Sequence, residues 1–258
     1  MSRMSWLVKG CLAAAVAGFA AGCAQTSTLT APAVPAAQGS TSLQPATWKA
    51  LLVAADDAQP VFSNAVDALR ERLMAFGLSA GDISVLKADS SVRDAVADRR
   101  NIERQRERLA GPPGAGCFVF ITSHGYPRGG LVVARSRAVI GPGYLDQLLD
   151  QACGERPTVV VASGCFSGVY TADRGMRRPN RVILAAARSD LPSFGCGAQE
   201  RYTYYDRCFL ESLRRGAPWQ SIVDGIRVCV DAQERRRGDP ASHPQAFIGG
   251  GVAQLTAF

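Results

Sequence analysis

The stretch Pro157-Thr-Val-Val-Val-Ala-Ser-Gly-Cys165-Phe-Ser-Gly168 decides how the rest of the chain is read. Thr158 to Ala162 is an apolar, largely β-branched run that reads as a buried strand, and Ser163-Gly164 ends it just before a cysteine. Cys117-Phe-Val-Phe-Ile-Thr-Ser-His124-Gly125 has the same design, a hydrophobic strand that closes on a reactive side chain beside glycine. Ligands of a parallel sheet bind outside the carboxyl ends of its strands. Two neighbouring strands that deliver His124 and Cys165 to that edge therefore supply a base and a nucleophile. A helix starting at Cys165 and a nearby imidazole would each lower the thiol pKa. The backbone N–H groups of Gly125 and Cys165 suit a developing oxyanion. Taken singly, the histidine reads as a structural donor and the cysteine as a small buried hydrophobe; their pairing at two strand ends is the signal.

Outward from these two strands the pattern alternates. Trp48 to Ala55 reads as a first strand ending at Asp56-Asp57. Val61 to Phe76 reads as an amphipathic helix with Val66, Leu69, Leu73 and Met74 inward, stopped by Gly77. Asp82 to Lys87 is a second strand, and Ser90 to Leu109 a long charged helix capped by Ser90 and Ser91. A hairpin (Leu131 to Ala134, Ala138 to Ile140) and a helix from Pro142 to Cys153 precede the central strand. Arg181 to Ala187 is a fifth strand, Tyr204–Arg215 and Trp219–Arg235 are closing helices, and Phe247-Ile-Gly is a last short strand. Strands alternating with helices imply βαβ units and an α/β fold with a mainly parallel sheet.

The chain has 258 residues, of which 47% are hydrophobic and 20% charged, which suits one globular domain with a sizeable core. The formal charge of +7 is carried almost wholly by arginine. Removing Arg3 and Lys9 with a leader takes +7 to +5. The arginines are interleaved with acids, as in Arg99 to Arg108, so no nucleic-acid partner is expected. Residues 1–22 read as an export signal, with a basic start and a short apolar run from Cys11 to Ala21. Its end, Ala20-Ala-Gly-Cys23, resembles a bacterial lipobox, which implies lipidation of Cys23 and an outer-membrane anchor facing the periplasm. An ordinary signal peptide with an incidental Cys23 is the other reading. Residues 23–46 are uncharged and rich in Ala, Pro, Ser, Thr and Gln, so they read as a flexible tether to a domain spanning 47–258.

Strand–His124-Gly125 followed by strand–Gly164-Cys165-Phe-Ser-Gly168 resembles the legumain-like cysteine peptidases, the C13 family of the caspase-like clan. The resemblance runs from about Trp48 to Gly249. It includes Ala185 to Cys196, Thr203-Tyr-Tyr-Asp206 and Ser242-His-Pro-Gln245. It implies a three-layer caspase-like sandwich, with His124 as general base and acid, Cys165 as nucleophile, and Gly125 with Cys165 as the oxyanion hole. It also implies a peptide or protein substrate and no metal or cofactor. By alignment Ser163, Ser193 and Asp206 line the pocket for the P1 residue, and Asp206 favours a basic or amide side chain there. Plant and animal legumains have Asp-His-Gly and Glu-Ala-Cys-Glu-Ser-Gly, whereas this chain has Ser123-His-Gly and Ser163-Gly-Cys-Phe166-Ser-Gly. The acids around the nucleophile and the Arg-His pair that helps to read asparagine are missing, so asparagine specificity does not carry over.

Gln151-Ala-Cys153-Gly154 imitates a caspase motif, but Glu155 stands where its second glycine belongs. Cys153 also ends a helix before a strand, at the wrong edge of the sheet for a nucleophile. Ser167 lacks the Gly-x-Ser-x-Gly elbow. Cys117 and Cys153 both precede adjacent strands, so they are expected to pair in an exporting compartment. Among Cys196, Cys208 and Cys229 one pair is open and one thiol is left over. The expected activity is peptide-bond cleavage through a thioester, with transpeptidation by the same acyl-enzyme. The alternatives are a non-catalytic envelope binding module on the same fold and a non-peptidase acyl transferase.

Overall fold

The computed structural model describes residues 44–258 apart from 128 and 198; the expected export signal, Cys23 and most of the expected tether lie outside the described residues. Strands β1 (Trp48–Ala54), β2 (Ile83–Lys87), β3 (Gly116–Thr122), β7 (Thr158–Ser163), β8 (Arg181–Ala185) and β9 (Gln245–Ile248) form one sheet in the order β2-β1-β3-β7-β8-β9. All neighbours in it run parallel except β9, which pairs antiparallel with β8. A small antiparallel sheet, β4 (Gly125–Tyr126), β5 (Gly130–Val133) and β6 (Ala138–Ile140), stands just past β3. Its outer pair is the expected hairpin, whereas β4 was not legible in two residues of loop.

The near-continuous apolar runs of β1, β3, β7 and β8 follow from burial on both faces. Leu52, Phe118, Phe120, Val159, Val161 and Leu184 pack on one side against α1 (Val61–Ala75), α5 (Tyr204–Ser212) and α6 (Trp219–Arg237). Leu51, Val53, Val119, Ile121, Val160 and Ile183 face the other layer, with α2 (Arg99–Leu109), α3 (Pro142–Ala152) and α4 (Val169–Ala172). The fold is thus an α/β sandwich with a mainly parallel central sheet between helices. The last residue closes the first layer: the Phe258 ring lies against Trp48, Phe118, Phe76 and Trp219.

Three local expectations are corrected. The helix expected from Ser90 starts only after Asp98, whose side chain accepts the Asn101 N–H at 2.7 Å. The Ser90 hydroxyl instead binds the Val92 N–H, and Val96 bridges Lys87 in parallel, so the segment extends the sheet edge before turning helical. Met74 is 41% exposed, while Val66, Leu69 and Leu73 are fully buried; one more residue of turn carries position 74 off the inward stripe. Finally, no helix starts at Cys165. Phe166 takes φ 60°, its N–H donates to the Leu191 carbonyl at 2.8 Å, and only the four-residue α4 follows. The helix start expected at Cys165 is therefore absent.

Cys117–Cys153 is a disulfide, with Cα atoms 5.9 Å apart, at the amino edge of the sheet. Cys208 pairs with Cys229 across α5 and α6, and Cys165 and Cys196 are free.

Candidate active site

The strand register places the two expected groups. Thr122 pairs with Ser163, an offset of 41 residues, and His124 and Cys165 keep the same offset two residues further on. Neighbouring strands lie about 4.8 Å apart, and the Ser123 N–H donates to the Ser163 carbonyl at 3.0 Å, so the two loops leave the sheet side by side. They then touch. A Cβ on Gly125 would stand 1.8 Å from the Cys165 carbonyl oxygen, so only glycine fits there.

A third residue extends the row. Ala54 pairs with Thr122, an offset of 68, and Asp56 and His124 keep that offset. Asp56 Oδ2 lies 3.0 Å from His124 Nδ1, with Asp56 nine-tenths buried and the imidazole 40% exposed. The carboxylate fixes the ring through Nδ1 and leaves Nε2 for chemistry. The Phe62 ring holds the imidazole from its edge, with centroids 5.1 Å apart. The sequence reading stopped the first strand at Asp56 without giving that residue a role. The carboxyl-edge rule that selected His124 and Cys165 would have found it.

Cys165 is half-buried, and its sulfur accepts the Ser193 N–H at 3.3 Å. The thiol points back at the Ser193 carbonyl at 3.5 Å. The Cys165 N–H donates to no acceptor among the described residues. In β4, Gly125 opposes Leu131, whose own N–H is turned away to the Tyr170 hydroxyl at 2.9 Å. Pairing of this kind leaves the Gly125 N–H facing away from β5.

Asp206 and Ser163 lie beneath this row. Asp206 stands in the first turn of α5, fully buried, and receives the Thr122 hydroxyl on Oδ2 at 2.7 Å. Its Oδ1 has no partner, and neither has the buried Ser163 hydroxyl, although that group is close enough to favour the carboxylate. Burial pushes the Asp206 carboxyl up to about 6, against the pull of Ser163, Thr122 and Thr203. The loop after β8 packs on the start of α5: the Phe194 carbonyl accepts the Tyr204 N–H, and Gly195 (φ 90°) lies against Tyr204 where a Cβ would clash. Cys196 follows, its thiol pushed up to about 12 by burial and by the charges of Cys165, Asp206 and Asp56. Of the residues expected to line the P1 pocket, Ser193 touches the sulfur, while Ser163 and Asp206 are buried beneath the strand ends and closed to solvent.

A mainly parallel sheet of this order between two helical layers is a caspase-like fold. In solved structures, the chain resembles caspase-1 from Spodoptera frugiperda, with 12% identity over 80% of this chain and 88% of that one and a TM-score of 0.57. Residues 97–216 match the Peptidase C13 family, and this segment contains His124, Cys165, Ser193 and Asp206. That match, with the caspase-like neighbour, supports a legumain-like relationship for this segment. No curated protein matches it.

Proposed function

We propose that the protein is a cysteine endopeptidase that works through Cys165 and His124, with Asp56 holding the imidazole. The observation that carries the reading is the row Asp56–His124–Cys165 across three adjacent strand ends. In the reaction, His124 Nε2 takes the Cys165 proton as sulfur adds to the peptide carbonyl. The N–H groups of Gly125 and Cys165 bind the resulting oxyanion. Collapse expels the amine, which leaves with the proton from His124, and forms a thioester. Water then attacks the thioester, again with His124 as base, and frees the acid and the thiol. An amine acceptor in place of water would give transpeptidation.

The unpartnered Oδ1 of Asp206 supports a basic or amide P1 residue, which would reach it once the Ser193–Cys196 loop moves aside. The Ala20-Ala-Gly-Cys23 motif supports a lipid anchor in the bacterial envelope.

The test is cleavage of a mixed peptide library by the soluble domain from about residue 40, with C165A as control. Products that vanish in C165A, with Lys, Arg, Gln or Asn at P1, are expected. In D56A, kcat should fall about 10- to 100-fold with little change in KM, the pattern of a lost orienting partner. A folded wild type that cleaves nothing and whose Cys165 resists alkylation would point instead to a binding module.

A further inference from the structure

The loop between β8 and α5 lies along the site like a ruler. Ser189 and Asp190 border a cavity, Leu191 receives the Phe166 N–H, Ser193 contacts the Cys165 sulfur, and Cys196 reaches the Asp206 side. Along the loop, the Ser193 contact with the sulfur falls between the cavity residues Ser189 and Asp190 and the Cys196 end. That cavity holds about 700 Å³. Its walls are apolar: Pro127 from the β4–β5 connection, Pro142 at the head of α3, Phe166, and Val169 and Ala172 of α4. Asp173 and Asp190 edge it, and Arg188 pairs with both Asp190 oxygens.

We propose that this cavity binds the first residues on the leaving-group side of a peptide substrate and selects large apolar side chains there. The inference rests on the peptidase reading and adds the other half of the cleavage site. Two arguments fix the direction. With P1 turned toward Asp206, the chain beyond the scissile bond must leave across Phe166. His124 must also hand its proton to the departing amine, and Pro127 lies only three residues past it, just beyond β4. Phe166 itself is held at φ 60°, a conformation unfavourable for a bulky residue and typical of positions kept for a site. Asp173, which has no ion-pair partner among the described residues, disfavours Asp or Glu in the same segment.

The test uses peptides of one P1 residue that differ only in the first or second residue after the scissile bond, carrying Leu, Phe, Gly or Asp. In the wild type, kcat/KM for Leu or Phe at one of these positions should exceed that for Gly by about tenfold or more, with Asp lowest. A172W, which fills the cavity from its exposed rim, should bring the Leu-to-Gly ratio close to one. Cleavage with no preference at either position, or a ratio that survives A172W, overturns the proposal and leaves the peptidase reading standing. No cleavage of any peptide removes both.

Discussion

Asp206 shows what a single buried carboxyl costs and supplies. Its proton is held more tightly in the folded protein, at about 6, than in the unfolded chain, near 3.8. The folded state therefore binds the extra proton between those values, and the stability it brings is present below about pH 4 and lost as pH rises through 6. Above that pH the ionised group costs on the order of 2–3 kcal/mol. D206N, which keeps an oxygen for Thr122, should melt higher than wild type at pH 7.5, and the difference should disappear near pH 4. Cleavage after a basic P1 residue should run the other way, falling as pH drops through about 6 because the ion pair needs the carboxylate. Equal melting temperatures at pH 7.5 would mean that the group is already neutralised or hydrated in the folded protein. Asp206 was readable as a pocket residue only by alignment. Its complete burial was not, because no local pattern announces which loop and which strand end pack on which helix start.

Among the elements, the strands were legible and the turns between them less so. Thr158 to Ala162 and Cys117 to Ile121 announce themselves because burial on both faces makes them continuously apolar. The stretch from Ser90 to Asp98 misled because its serines and aspartates bind nearby backbone as readily as they cap a helix. The offsets of 41 and 68 make the site itself an outcome of strand pairing: once β1, β3 and β7 align, Asp56, His124 and Cys165 arrive in one row. What keeps the two loops in contact is Gly125. Its Cα lies against the Cys165 carbonyl, and G125A would force those backbones apart. That variant should retain its far-ultraviolet circular dichroism and lose at least 100-fold in kcat/KM, since both oxyanion donors move. Retention of activity would show that the loops separate without harm.

At the scale of the whole molecule, the central sheet keeps two kinds of sulfur chemistry apart. The Cys117–Cys153 bridge is buried at the amino edge, with neither cysteine more than 3% exposed, while Cys165 stands half-open at the carboxyl edge. Strands of six and seven residues separate them by roughly 20 Å. A bridge spanning 36 residues stabilises by about 3–4 kcal/mol in the chain-entropy account. An oxidised Cys165 and an intact bridge should therefore answer to different doses of the same reagent. In a dithiothreitol titration, activity should climb to a plateau at concentrations where the melting temperature has not yet moved, and fall only when the bridges open. A compartment that preserves structural disulfides would then act as a throttle on this protein, with the fold kept by the oxidising conditions and turnover limited by whatever reducing supply reaches the outer edge of the sheet.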